Sequence, residues 1–158
     1  MPNWCINYVT VNHNEPEMIT KACEALRAGN LFETFVPFAN GEWDYGWCNE
    51  NWGTKWDATC VDCYNDESSA TLIFETAWGP PIAFLKALED LGFDIDATYH
   101  EPGLAFAGHY YDGDDNHYEY DFSNPDWVDD IDDEDVLEML EEEYNQYLEW
   151  QDDQEEED

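Results

Sequence analysis

Residues 70–99 read ATLIFETAWGPPIAFLKALEDLGFDIDATY, and three elements stand in that stretch. Ala70–Thr76 is a short apolar run rich in strand formers. Pro80-Pro81 then opens a helix that carries Ile82, Leu85, Leu88 and Leu91 at helical spacing and stops at Gly92. Beyond it Phe93, Ile95, Ala97 and Tyr99 alternate with Asp94, Asp96 and Thr98, the period of a half-buried strand.

Working upstream, Trp56–Tyr64 reads as a strand joined to Ala70–Thr76 through Asn65–Ser69. Trp4–His13 is the first strand, with Val9 and Val11 on one face. Asn14 is the expected N-cap of the first helix, with Pro16 in the first turn and Glu17 at the capping-box position. Ile19, Ala22, Cys23 and Leu26 follow, and Gly29 ends that helix. Residues 30–54, bearing Trp43, Trp47 and Trp52 with Trp56 just beyond, read as an irregular packed loop. Those tryptophans are expected to seal the core.

Downstream, a turn at Glu101-Pro102-Gly103 leads into a strand over Leu104–Tyr111. An Asp112–Asn116 turn leads into a last strand, Tyr118–Phe122, with Tyr118, Tyr120 and Phe122 on one side. The order β-α-β-β-α-β plus a hairpin predicts an α+β chain. Its expected core, residues 1–124, is a ferredoxin-like antiparallel sheet extended by that hairpin. After Asn124-Pro125, the stripe Val136, Leu137, Leu140, Tyr144, Tyr147 and Leu148 predicts an acidic helix within 125–150, docked on the sheet. Glu138, Glu141, Glu142, Glu143 and Glu149 fall on its outer face. Residues 151–158 read as a disordered acidic tail.

Forty Asp and Glu stand against four Lys and Arg, a net charge of −36. The basic residues are Lys21, Arg27, Lys55 and Lys86; 12 of the acids lie in residues 1–86 and 28 beyond. Hydrophobic residues at 43% supply a core, so the charge does not signal a disordered chain. It does argue against direct binding to nucleic acid or an anionic membrane, both of which attract cations. Met1–Val11 lacks the pattern of a signal peptide, and no run approaches a membrane span. Five cysteines, an odd number, read as mostly buried reduced thiols, and the expected location is the cytoplasm of a host cell.

Four motifs occur in order: Met1-Pro2-Asn3-Trp4-Cys5-Ile6-Asn7, Asn51-Trp52-Gly53-Thr54-Lys55-Trp56-Asp57, Ala77-Trp78-Gly79-Pro80-Pro81, and Glu101-Pro102-Gly103-Leu104-Ala105-Phe106-Ala107-Gly108. Over residues 1–122 they resemble the YubB-type (Api-like) ferredoxin-like family of plasmid and phage proteins. The resemblance implies a mobile-element origin and the same fold, and it implies no reaction. The acidic segment 126–158 lies outside the pattern.

The functional expectation is therefore a phage- or plasmid-encoded DNA mimic. Its acidic surface would bind and inhibit a basic DNA- or RNA-binding host protein such as a CRISPR effector, a restriction complex or a nuclease. Partner-binding carboxylates are expected at Asp112, Asp114, Asp115, Glu119 and Asp121; at Asp126, Asp129, Asp130, Asp132 and Asp133; and at Glu134, Asp135, Glu138, Glu141, Glu142, Glu143 and Glu149. The alternative is a ferredoxin-like scaffold domain whose acidity serves only solubility or high-salt adaptation.

No catalytic residue, cofactor or metal is expected. Cys60-Val61-Asp62-Cys63 is a lone C-x-x-C whose thiols a strand turns to opposite faces. Asp112-Gly113-Asp114-Asp115-Asn116 has the ligands of a calcium loop without its spacing or closing Glu, so turn formation explains it. His13, His100, His109 and His117 are possible bases, but no nucleophile motif or phosphate-cradling loop accompanies them.

Overall fold

The computed structural model describes residues 3–157, with side chains described through residue 154. β1 (Trp4–Asn12) is followed by α1 (Pro16–Ala28), two short helices α2 (Leu31–Phe35) and α3 (Tyr45–Asn51), and the strands β2 (Thr59–Asn65) and β3 (Ser69–Ala77). Next come α4 (Ile82–Asp90), β4 (Asp94–Glu101), β5 (Phe106–Tyr111), β6 (Asp114–Glu119), a 3-10 turn at Trp127–Asp130, and α5 (Glu134–Glu157). The chain is α+β. Its six strands form one sheet in the order β2-β3-β1-β4-β5-β6, and every neighbouring pair is antiparallel.

Alternation along the strands gives this sheet two faces with different cover. Val9, Val11, Leu72, Phe74, Ile95, Ala97 and Tyr110 point to the face packed by α1 to α4, where Ile19, Leu26, Phe32, Trp52, Phe84, Leu85 and Leu88 complete the larger core. On that side Asn7 is buried but satisfied. Its amide nitrogen donates to Thr76 Oγ1 at 2.9 Å and to the carbonyls of Cys5 and Phe74 at 3.2 and 3.3 Å. Tyr99 packs across Gly108, where a Cβ would stand 2.2 Å from the tyrosine oxygen, so no larger residue fits there. Among the described residues, no helix is long and apolar enough to cross a membrane.

The opposite face is covered over β5 and β6 by α5 and the 3-10 turn. Ala107, Trp127, Ile131, Val136 and Leu140 are the buried members of this second cluster, with Tyr118, Tyr120, Phe122 and Tyr144 packed against them.

Several expectations change. Asn14 is not the cap of α1: Glu15 holds the N-cap position without a side-chain bond, and Pro16 starts the helix. Residues 30–54 are not one irregular loop, because they contain α2 and α3. At five and seven residues these helices are too short to display a hydrophobic period. The backbone of α2 is capped from far along the chain, where Asp57 accepts from the Phe32 and Glu33 amides at 2.8 and 3.0 Å. Trp52 is buried, whereas Trp43 and Trp56 stand 53% and 41% exposed, so the tryptophans do not all seal the core.

The second hairpin turns at Asp112-Gly113, both with positive φ, and β6 begins at the next residue, Asp114. That is the short turn favoured by strand twist, in place of the five-residue turn expected. Consequently Tyr120 and Phe122 lie beyond β6 and reach the second cluster from the following loop. α5 is helical through Glu157, so the disorder expected for 151–158 is not observed over 151–157; Asp158 lies outside the described residues. Leu148 is exposed, ending the apolar stripe at Tyr147.

The two clusters lie on opposite faces, so they should loosen separately. Leu140→Ala is expected to cost about 2–5 kcal/mol. Amide hydrogen exchange should then accelerate along α5 while the amides of β1 and β3 keep their protection.

Candidate partner-binding site

The site begins where α5 is fixed to the sheet. Asp133 precedes the helix, and its Oδ1 accepts from the amides of Asp135 and Val136 at 3.0 and 3.1 Å, capping the first turn. Its Oδ2 lies 2.7 Å from His109 Nδ1 on β5, while His109 Nε2 lies 2.6 Å from Asp96 Oδ1 on β4. Ionised carboxylates only accept, so both ring nitrogens must donate and His109 is an imidazolium. Burial works against that charge, but the hydrogen bonds that His109 donates to Asp96 and Asp133 outweigh it and raise the His109 pKa. Burial likewise opposes the Asp133 carboxylate, yet the Val136 amide and His109 hold its pKa down. With four Lys and Arg in the chain, α5 is fastened by a histidine.

His109 Nδ1 and carboxylate oxygens of Asp133 and Asp135 lie within 4.8 Å of one another, a set that could hold a divalent cation. A cation there would have to displace the proton that now joins His109 to Asp133.

The structure scatters the seventeen expected carboxylates rather than gathering them. On β6, Asp115 and Glu119 pair with Tyr110 and Phe106, so they face away from α5; Asp114 points to the α5 side. Asp115 accepts a hydrogen bond from the Tyr99 hydroxyl at 2.6 Å. Asp112 sits in the hairpin turn and Asp121 in a loop where it accepts from Ser123. Asp126, Asp129, Asp130 and Asp132 surround the 3-10 turn and are exposed. Asp133 is committed to the clamp and the helix cap, so it is not a free contact residue. Glu143 is half-buried towards the sheet, not on the outer face.

α5 brings together what remains. Asp135, Glu138 and Glu142 form a row on its flank above β1 and β4, while Glu134 and Glu141 point to the opposite flank and Glu149 to the crest. Below the first row lies a groove of about 450 Å³ floored by Tyr8, Thr10, Thr98 and Asp96, with Met139 on its wall. Tyr8, Asp96, Thr98 and His109 were not among the expected site residues. Strand alternation places Asp96 and Thr98 on one face, but no sequence signal says that α5 crosses above them.

Two of the other histidines, His13 and His100, have local roles. His13 accepts from the Glu15 amide at 2.9 Å, and His100 is buried beside the Tyr120 hydroxyl at 2.5 Å, with its pKa lowered by burial to about 4. A strand bulge between Cys60 and Asp62 leaves Cys60 exposed, whereas Cys63 is buried and its thiol donates to the Cys23 carbonyl at 3.7 Å. The bulge sets Cys60 opposite Phe74 and Cys63 opposite Leu72, so both turn to the helix-covered face and not to the opposite faces expected of a regular strand.

From that geometry, iodoacetamide applied to the native protein at neutral pH should label Cys60 alone. Mass spectrometry should show Cys5, Cys23, Cys48 and Cys63 reacting only after unfolding. The clamp predicts a pH dependence of defined sign. A raised histidine pKa contributes stability that is full below the ordinary value of 6.5 and is lost as pH rises through the raised value. The lowered Asp133 contributes above its ordinary 3.8 and loses that as pH falls through its lowered value. His109→Gln should thus cost about 1–3 kcal/mol near pH 6, measured by urea unfolding, and the gap to wild type should narrow by pH 9.

Compared with known proteins, the chain matches no family model, no curated protein and no solved structure, so its function is read from this geometry.

Proposed function

We propose that this chain is an acidic DNA mimic, encoded by a phage or plasmid, that binds and inhibits a basic nucleic-acid-handling host protein. The observation that carries the reading is α5. Twelve of its 24 residues are Asp or Glu and none is basic. At about 1.5 Å per residue the helix is about 36 Å long, one carboxylate per about 3 Å of axis. A single strand of duplex DNA carries one phosphate per about 3.4 Å, so the axial charge densities match. Through Tyr147 the helix packs on the folded sheet, which presents the charges of that part without a loop's ordering cost. The strand order β2-β3-β1-β4, with α1 and α4 as crossovers, supports the ferredoxin-like reading of the core.

A partner with a DNA-binding cleft would meet this surface as it meets phosphate, with affinity that falls as salt rises. Removing residues 126–158 would delete Trp127, Ile131, Val136 and Leu140 and uncover Ala107, Tyr118, Tyr120 and Phe122, so truncation disturbs the fold as well as the charge.

Neutralisation leaves the fold in place. Protein immobilised in nuclease-treated host lysate should retain a basic protein that added duplex DNA displaces. Glu138→Gln, Glu141→Gln, Glu142→Gln and Glu149→Gln together should weaken that retention about tenfold or more at moderate salt, with unchanged circular dichroism. Retention that DNA does not displace, or that the quadruple variant leaves intact, would return the acidity to a solubility role.

A further inference from the structure

The groove beneath α5 carries the reading further. α5 covers only part of the second sheet face, and beside it Tyr8 of β1 stands 39% exposed. Asp135, Glu138 and Glu142 overhang Tyr8 in a row, and the groove continues along the same flank to Gln146. Neither stretch is lined by a Lys or Arg. Glu138 and Glu142 have no cationic partner among the described residues.

We infer that this groove is the seat of an extended, arginine-bearing segment of a protein partner. The inference rests on the proposed binding of a basic protein and names where one segment of it docks. Charge complementarity selects the class of occupant: carboxylates on one wall repel nucleic acid and anionic lipid and attract a cationic peptide. The aromatic floor selects the residue. A guanidinium can lie on the Tyr8 ring while its fork meets a carboxylate, and it sheds water more readily than an ammonium. Dimensions select the conformation. From Asp135 to Gln146 the flank runs about 16 Å at about 1.5 Å per residue, the reach of about five extended residues at about 3.3 Å each. Arginines two residues apart point to the same side, about 6.6 Å apart, close to the helical rise of about 6 Å between Glu138 and Glu142.

The test uses a fluorescein-labelled nine-residue peptide with three arginines at alternate positions, and its lysine counterpart, titrated by anisotropy in 150 mM salt, the physiological ionic strength. Glu138→Gln/Glu142→Gln and, separately, Tyr8→Ala should weaken the arginine peptide about fivefold or more. Glu17→Gln/Glu24→Gln removes the same charge from α1 on the first face and should weaken it about twofold at most. The lysine peptide should bind wild type about threefold more weakly than the arginine peptide. Equal losses from the two double variants, or no binding of the arginine peptide to wild type, would overturn the groove as the seat. The mimic reading would survive both results, because it stands or falls on displacement by DNA. Should Tyr8→Ala unfold the domain, the two glutamine pairs decide alone.

Discussion

Trp127, Ile131, Val136 and Leu140 cover part of the second face of the sheet, and the placement of the α5 carboxylates depends on that packing. Each of these side chains contributes about 1.5–3 kcal/mol when fully buried. Without that apolar stripe, a helix with twelve acids and no base would have no reason to lie on a surface that also carries Asp96. The stripe points one flank of α5 at β1 and β4, and the charged rows follow from the helical period.

Electrostatics then adjusts what burial has chosen. Asp96 and Asp133 would repel each other where α5 meets β4, and His109 stands between them with both ring nitrogens donating. The repulsion thereby becomes a pair of charge-assisted hydrogen bonds. The same histidine ties the second cluster to the sheet at the end of α5 where the helix begins. Its position on β5, opposite Thr98, lets one ring reach both carboxylates.

The two halves of the molecule serve one surface. The larger core, built by α1 to α4 on the first face, makes the sheet rigid, and the second face is left half covered. On that face the half-exposed ring of Tyr8 lies beside the carboxylate row of α5. This neighbourhood suits a cation that is also planar and weakly hydrated. The hairpin of β5 and β6 contributes less than its acid content implies, because alternate residues of a strand cannot share a face.

Read alone, the sequence determined the first five strands and the two longer crossover helices, because periods of two and of about 3.6 residues are local properties, but it misplaced β6. Ile95, Ala97 and Tyr99 alternating with Asp94 and Asp96, and Val136, Leu140 and Tyr144 along α5, were legible for that reason, as were the net charge and its bias to the second half. Short elements were not: α2 depends on Asp57 for its cap, a partner more than twenty residues away. Which carboxylates share a surface was likewise a tertiary matter. Asp115 and Asp114 are neighbours in sequence and part to opposite faces, whereas Asp96, His109 and Asp133 come from three elements and meet within hydrogen-bond distance. Sequence spacing reports the direction of a side chain within its own element, but only packing decides what stands across from it.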